Sequence, residues 1–340
     1  MQPEISVDLH VLAANARAWR DYAAVPLRAV VKGDGYGWGY QRMVAALEDV
    51  ADGYCVADAD ELRDLRRYTA KPAVVLGSVE PDRLAEVYRS NGLASIGSPI
   101  ELEIVAHVLA QEKRPLRVRV GVRPAAAWSG LSLQELRDFA PALAQGGAQV
   151  ELWTHITDFE AREEQRQLFN EGLHIMEAAG VKLAGTDIAS TFPLAADGPR
   201  GSSIRVGVGL FGATGGFPVP GVHCALRVIA PIVRIERHTA GTRVGYGGTM
   251  LANGESIATA RCGYADGLPQ TLAGADDILS VGMQYVTVLA TRVDTQAAQV
   301  VLLDESSDLD AFAARCGRLP HEIVTSFGNC ARANGVTVEV

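Results

Sequence analysis

Leu27-Arg28-Ala29-Val30-Val31-Lys32-Gly33-Asp34-Gly35-Tyr36-Gly37-Trp38-Gly39-Tyr40 is the stretch from which the rest of the chain is read. Its first half is an apolar run of strand length, as a strand buried on both faces requires. Its second half opens on a lysine and sets glycines at alternate positions, with an aspartate and a tyrosine between them. A lysine at the mouth of a buried strand is costly unless it has a partner or a task. Desolvation makes such an amine a usable nucleophile, which suits a Schiff-base lysine. The glycines let backbone approach a ligand closely, and Tyr36 offers a phenol to a phosphate. A surface lysine followed by a glycine turn explains the same residues, so the stretch alone leaves both readings open.

Outward from this stretch, strand and helix alternate. A short strand at 4–7 and a helix at 8–22 precede it. Apolar strand candidates are 27–32, 53–57, 73–77, 94–98, 116–122, 150–156, 185–190 and 203–211, with helical patterns at 40–51, 58–68, 80–90, 99–112, 132–145 and 160–179. The last crossover, 192–202, is short and rich in Gly, Pro and Ser, which weakens the case for a helix there. Eight strands with crossovers predict an α/β fold, a parallel (β/α)8 barrel of the TIM type. A doubly wound open sheet lacks its Gly-rich fingerprint after the first strand. Barrel chemistry sits at the C-terminal ends of strands, and Lys32 is at such an end.

The pattern changes after about residue 215, where Phe217-Pro218-Val219-Pro220-Gly221 marks a boundary. Short β-rich runs follow at 223–237, 243–246, 256–262, 278–282, 285–292 and 298–303, then helical pieces within 305–333 and a last strand at 335–340. The expected division is a barrel over 1–218 and a mainly-β domain over 219–340, with the first residues able to pair with the β domain.

A net charge of -9 argues against a nucleic-acid-binding surface. No apolar run is long enough to span a bilayer, and the first residues lack the basic and apolar segments of a signal peptide. Five scattered cysteines, Cys55, Cys224, Cys262, Cys316 and Cys330, suit reduced thiols in the cytoplasm rather than a disulfide framework or a zinc site.

Several segments together resemble the alanine racemase family. Lys32 to Gly37 is similar to its pyridoxal-phosphate lysine segment, and Glu4–Trp19 to its opening strand and helix. Trp153-Thr154-His155-Ile156 resembles its Thr-His strand end, Ile204 to Gly212 its Arg-x-Gly-x-x-x-Tyr/Phe-Gly run, and Val244-Gly245-Tyr246-Gly247 its Tyr-Gly turn. Gly263-Tyr264-Ala265-Asp266-Gly267 matches its most specific signature besides the lysine segment.

The resemblance implies pyridoxal 5'-phosphate bound covalently to Lys32. It implies that the partner subunit's Tyr264 faces Lys32 across the cofactor in a homodimer with shared sites. It further implies that Arg205 donates to the pyridine nitrogen with His155 in support, and that Tyr36, Thr191, Gly207 and Val208 hold the phosphate. Thr191 stands where the family usually has Ser. Racemisation needs a base on each face of a planar carbanion, and a lysine opposite a tyrosine supplies both. The cofactor supplies the electron sink. An arginine keeps its proton, so the pyridine nitrogen stays largely unprotonated and the sink is weaker. Taken singly, Arg205 reads as a surface arginine, His155 as a satisfied core histidine and Tyr264 as an interface or core tyrosine; one site would explain them together.

The departures from the family fall on the substrate side. Where the family has a lysine and a carboxylate-orienting arginine, this chain has Gly121 and Trp128. Arg119 and Arg123 share a strand face with Gly121 and are candidates to replace the clamp, or else are structural arginines. The family's Cys/Ser-Met-Asp-Gln is altered to Arg292-Val293-Asp294-Thr295, and its terminal gate to Asn329-Cys330-Ala331-Arg332-Ala333-Asn334. Arg119, Arg123, Trp128 and Val293 are therefore the candidate substrate contacts, and the expected substrate is an amino acid other than alanine, or a range broader than alanine. Two alternatives remain: a pyridoxal-phosphate-dependent decarboxylase, aldolase or epimerase, and a non-catalytic cofactor-binding protein.

Overall fold

The lysine stretch leaves the barrel at the end of the second of the sixteen strands found among the described residues. The computed structural model describes residues 2–333 apart from 112, 114, 116, 126–128, 157, 189, 199–200, 247–248, 276 and 294–297. The strand expected at 335–340 lies outside the described residues. After β1 (Glu4–Val7) and the helix Leu9–Ala23, the strands β2 (Leu27–Val30), β3 (Gly53–Val56), β4 (Ala73–Val75), β5 (Gly92–Ile96), β6 (Arg117–Gly121), β7 (Gln149–Trp153), β8 (Lys182–Asp187) and β9 (Ile204–Val206) follow. They form one parallel sheet in the order β8-β7-β6-β5-β4-β3-β2-β9. The seam between β8 and β9 is spanned by an antiparallel bridge between Asp187 and Gly201, with the Ser202 amide donating to the Thr186 carbonyl at 2.9 Å. This is the expected TIM-type barrel.

Helices cover the outside of the sheet because each carries an apolar stripe. Leu12, Ala16 and Trp19 of Leu9–Ala23 are fully buried, and the Trp19 indole N–H donates to the Gly209 carbonyl at 2.9 Å. Burying a side chain of this size contributes roughly 1.5–3 kcal/mol. Asp8 caps that helix by accepting from the His10 and Val11 amides. The last crossover corrects the sequence reading: it does hold a helix, Thr191–Asp197. Pro193 lies in its first turn, where the missing amide hydrogen has no acceptor in any case. The run 203–211 is strand only to Val206; Val208–Phe211 is a 3-10 turn. The run 285–292 likewise ends as strand at Leu289.

The barrel interior is split. Val30, Cys55, Val74 and Leu76 form an apolar half. The other half is charged: Arg28 is level with Arg205, and Arg119 with both Ser95 and Glu151. Barrel interiors are usually filled by branched apolar residues, so three arginines in one layer need partners, which Glu151 and Asp187 supply.

The second sheet is antiparallel. It contains β10 (Leu226–Arg237), β13 (Ser256–Ala260), β14 (Ile278–Val281), β15 (Val286–Leu289) and β16 (Gln299–Leu303), while β11 (Arg243–Val244) and β12 (Thr249–Met250) form a separate ribbon. Its order is β1-β10-β13-β15-β14, with β16 also on β10, so the first strand of the chain pairs with the C-terminal sheet, Val7 opposite Leu226. The helices Leu309–Arg315 and Pro320–Ala333 complete it. One apolar core runs from Leu12 and Trp19 through Leu210 and Phe211 to Val228, Val288 and Phe327, which fixes the barrel mouth against the final helix.

Candidate active site

The turn after β2 is left-handed. Gly33, Asp34, Gly35, Tyr36 and Gly37 all have φ between 52° and 86°. Gly35 N–H donates to Val31 O at 2.7 Å and Gly37 N–H to Gly33 O at 2.8 Å, closing a left-handed helical turn. For L-residues this conformation costs roughly 1–2 kcal/mol each, which explains the alternate glycines. Asp34 is secured by its own side chain, which accepts from the Tyr40 amide at 2.8 Å and from Arg332 Nη1 at 2.6 Å. Gly35 and Gly37 pack against protein, where the sequence reading set them against a ligand, while Gly33 and Gly39 face open space. A Cβ on Gly37 would lie 2.7 Å from the Asn329 amide nitrogen, and one on Gly328 would lie 2.4 Å from the Tyr36 carbonyl oxygen. The turn is thus clamped between the barrel mouth and the helix Pro320–Ala333, and it turns the Tyr36 ring inward against Phe211, centroids 5.5 Å apart.

Lys32, Tyr36, His155, Thr191, Arg205, Gly207 and Val208 line one cavity of about 380 Å³ at the C-terminal end of the barrel. Val30, Leu76, Ile156, Phe159, Ser190, Phe192, Pro193, Leu319 and His321 complete its walls. Lys32 is exposed in the single chain, where the sequence reading expected a desolvated lysine. Tyr36 is buried, and burial pushes its phenol above the ordinary tyrosine range, so it is a hydrogen-bond donor at neutral pH. His155 is held down to about 3 by burial and by the Arg205 and Lys32 cations, and is neutral.

The lining divides into two ends. Tyr36, Thr191, Gly207 and Val208 gather hydroxyls with the opening amides of the 3-10 turn Val208–Phe211, which have no acceptor within the turn. A Cβ on Gly207 would fall 2.2 Å from Tyr36 Oη, so glycine here is what lets the Tyr36 hydroxyl come up against the backbone. This end suits a phosphate. At the other end stand Arg205 and His155. The Arg205 Nη2 donates to the Thr154 carbonyl at 2.7 Å, and Nε lies 2.7 Å from Asp187 Oδ2. Lys32 brings an amine to the same cavity. Residues of this kind fit a flat, phosphorylated aldehyde with a ring nitrogen.

Tyr264 does not line this cavity. It opens the 3-10 turn Tyr264–Asp266 and is 43% exposed. The rest of its signature holds it there. Buried Asp266 accepts from Arg261 Nη1 at 2.5 Å and from the Gly263 amide at 2.9 Å, Gly263 has no room for a Cβ against the Gly282 and Met283 carbonyls, and Gly267 takes φ +97°.

The candidate substrate contacts fall elsewhere. Arg119 is fully buried inside the barrel, bonded to Glu151 (2.8 Å), Asp187 (2.5 Å) and Ser95 (3.1 Å), and does not reach the cavity. Arg123 donates to the Gly130 carbonyl at 2.9 Å and meets Glu135 at 3.4 Å, tying down its loop. Neither arginine lines the cavity. Val293 packs half-buried against the main core. Trp128 lies outside the described residues. Sequence reasoning missed His321, which sits between Tyr36 (6.4 Å) and Phe192 (5.9 Å) on the final helix, and Asp187. A lone carboxylate in the apolar run 185–190 was the available signal for Asp187; His321 had none.

Comparison with known proteins shows the family and the fold. Residues 7–215 match the family model described as alanine racemase, N-terminal domain, and residues 225–334 match that for the C-terminal domain. The chain is 30% identical to an alanine racemase of Jannaschia sp., covering 95% of this chain and 96% of that one, and 28% identical to one of Salinispora tropica, covering 96% of each. Among solved structures, the alanine racemase of Acinetobacter baumannii superposes with a TM-score of 0.83 at 22% identity, covering 96% of this chain and 97% of that one. The alanine racemase of Bartonella henselae with covalently bound pyridoxal phosphate gives 0.82 at 20% identity, covering 97% and 98%.

Proposed function

The chain belongs to the alanine racemase family and is an amino-acid racemase, and from that premise we propose that it uses pyridoxal 5'-phosphate and two bases on a substrate larger than alanine. The observation that carries the reading is the convergence of Lys32, Tyr36, His155, Thr191, Arg205, Gly207 and Val208 on one cavity from four separate segments. When bound, the cofactor would draw electrons from the Cα–H bond of an attached amino acid and make that proton removable.

The chain's own residues do the rest. Tyr36, Thr191 and the amides of Gly207 and Val208 hold the phosphate and fix the ring in the cavity. Lys32 Nζ anchors the cofactor, then takes or returns the Cα proton on its own face. The partner subunit's Tyr264 serves the opposite face through its phenol oxygen. Arg205 meets the ring nitrogen and stays charged, because a guanidinium does not release its proton. Neutral His155 adds no second charge beside it.

A second copy of the chain is needed for this assignment, since Tyr264 does not line the cavity of its own chain. Val233, Ile235, Met283 and Tyr285 are exposed apolar residues on the same sheet region, at 53%, 49%, 57% and 43%, and support such a contact. No helix among the described residues is long and apolar enough to cross a membrane. All five cysteines are free thiols, which supports a reducing cytoplasmic setting.

The substrate reading rests on the walls. Leu76, Ile156, Phe159, Phe192 and Leu319 give the cavity an apolar side, and Arg205 is its one arginine among the described residues. An amino acid with a side chain longer than a methyl group fills that side. Chiral chromatography of cofactor-loaded protein incubated with L-alanine and a panel of longer L-amino acids tests this. Faster formation of the D-enantiomer from a longer member is expected; turnover of alanine far above all others overturns it.

A further inference from the structure

We infer that Asp187 is a positioning residue that fixes how Arg205 is presented to the cavity. The inference rests on the reading above, in which Arg205 meets the ring nitrogen of the cofactor.

Asp187 ends β8 and is fully buried. Its Oδ2 lies 2.7 Å from Arg205 Nε, 2.5 Å from Arg119 Nη2 and 3.7 Å from Arg28 Nη1. Of these three arginines, only Arg205 lines the cavity. The Arg205 guanidinium is planar, so two fixed nitrogens set the direction of the third. Nη2 is held by the Thr154 carbonyl and Nε by the charge of Asp187, which leaves Nη1 as the donor for a ligand. The Nε contact is an ion pair whose hydrogen is not aligned for a full hydrogen bond. Asp187 therefore acts on Arg205 through charge and place.

The carboxylate is poorly explained by stability alone. Its Oδ1 is buried with no hydrogen-bond partner among the described residues, whereas both oxygens of Glu151 are bonded, to Arg28 and Arg119. A buried acceptor left unsatisfied is destabilising, and such groups concentrate where a function holds them in place. Three arginines and two carboxylates leave this network at +1; without Asp187 it stands at +2, with Arg119 and Arg205 facing each other unscreened.

The test compares binding of pyridoxal 5'-phosphate with that of its analogue bearing carbon in place of the ring nitrogen. Both carry the aldehyde and the phosphate, so the ratio of their dissociation constants isolates the ring-nitrogen contact. A hydrogen bond from a charged donor predicts about tenfold tighter binding of the natural cofactor to the wild type. Asp187→Asn is expected to bring the ratio close to one. Glu151→Gln, in the same network but not touching Arg205, is expected to keep the wild-type ratio. If Asp187→Asn does not fold, the double variant Asp187→Asn with Arg119→Met restores the network to +1 and is measured instead. A wild-type ratio in the Asp187 variant overturns the inference. A ratio of one in the wild type itself overturns the reading beneath it, and does so before any variant is made.

Discussion

The indole of Trp153 fills the space above Gly121. The two residues are paired across β6 and β7, and a Cβ on Gly121 would lie 3.0 Å from both Cε2 and Cζ2 of the ring. Arg119 lies over the same ring, its guanidinium carbon 4.4 Å from the centroid. The family resemblance calls for a lysine at position 121, so its loss here is matched by a ring that occupies the vacated volume.

This pairing has a measurable consequence. Gly121→Ala forces the ring to shift and is expected to cost about 1–3 kcal/mol, the usual range for overpacking. Trp153→Phe in the same chain relieves the crowding, so the double variant loses less than the sum of the single losses. Urea unfolding of the four proteins checks this. Additive losses would contradict the contact.

The left-handed turn separates two effects at its glycines. Gly33→Ala meets open space, so it carries only the cost of φ +66°, about 1–2 kcal/mol. Gly37→Ala adds a collision with the backbone of the final helix and is expected to cost roughly 2–4 kcal/mol. Denaturation midpoints order the two. Equal midpoints would mean that the helix Pro320–Ala333 does not bear on the turn.

Sharing of sites between subunits is tested by mixing inactive proteins. Lys32→Ala and Tyr264→Phe homodimers are each expected to be inactive. Unfolded and refolded together at equal amounts, half the dimers are mixed and one of their two sites is intact. Roughly a quarter of wild-type turnover should return. No recovery, with mixed dimers present by mass, would place Tyr264 outside the partner's site. Tyr264→Phe alone keeps its bound cofactor's absorbance while losing turnover; unaltered turnover would favour the non-catalytic reading.

The barrel was legible in the sequence because a strand buried on both faces, such as Leu27–Val30, cannot hide its apolar run. The cofactor end was legible through short motifs that stand at the ends of strands. The substrate end was not. Strand alternation put Arg119 on the same face as Gly121, but its depth in the barrel depends on Glu151 and Asp187, which become its neighbours only through the register of β6, β7 and β8. The glycines after Lys32 were read as ligand contacts because spacing does not reveal that the turn is left-handed and clamped by a helix nearly three hundred residues later. His321 reaches the cavity only through the packing of the second domain on the first.

Acid should weaken the fold in a way that His155 helps to set. Its folded pKa, about 3, lies below the ordinary 6.5 through burial, Arg205 and Lys32. Between these values the unfolded chain binds the extra proton, so stability falls as pH drops through 6.5 towards 3, by at most about 1.4 kcal/mol per unit. Burial alone would raise Glu151, but Arg28 and Arg119 bring it from 4.5 to about 2, adding a second loss below pH 4.5. His155→Gln is expected to flatten the slope between pH 6.5 and 4.5 and to leave below 4.5 the part that Glu151 contributes. Denaturant unfolding across this range checks it; an unchanged upper slope would contradict the assignment.

The central claim is that Lys32 and the partner subunit's Tyr264 serve opposite faces of one Cα. Its most direct test is proton–deuterium exchange at Cα in heavy water, followed by NMR with cofactor-loaded protein and a panel of L- and D-amino acids. The account expects exchange from both enantiomers of an amino acid longer than alanine, with the opposite enantiomer forming alongside. Exchange with strict retention of configuration would contradict it, because a single base would then be doing the work.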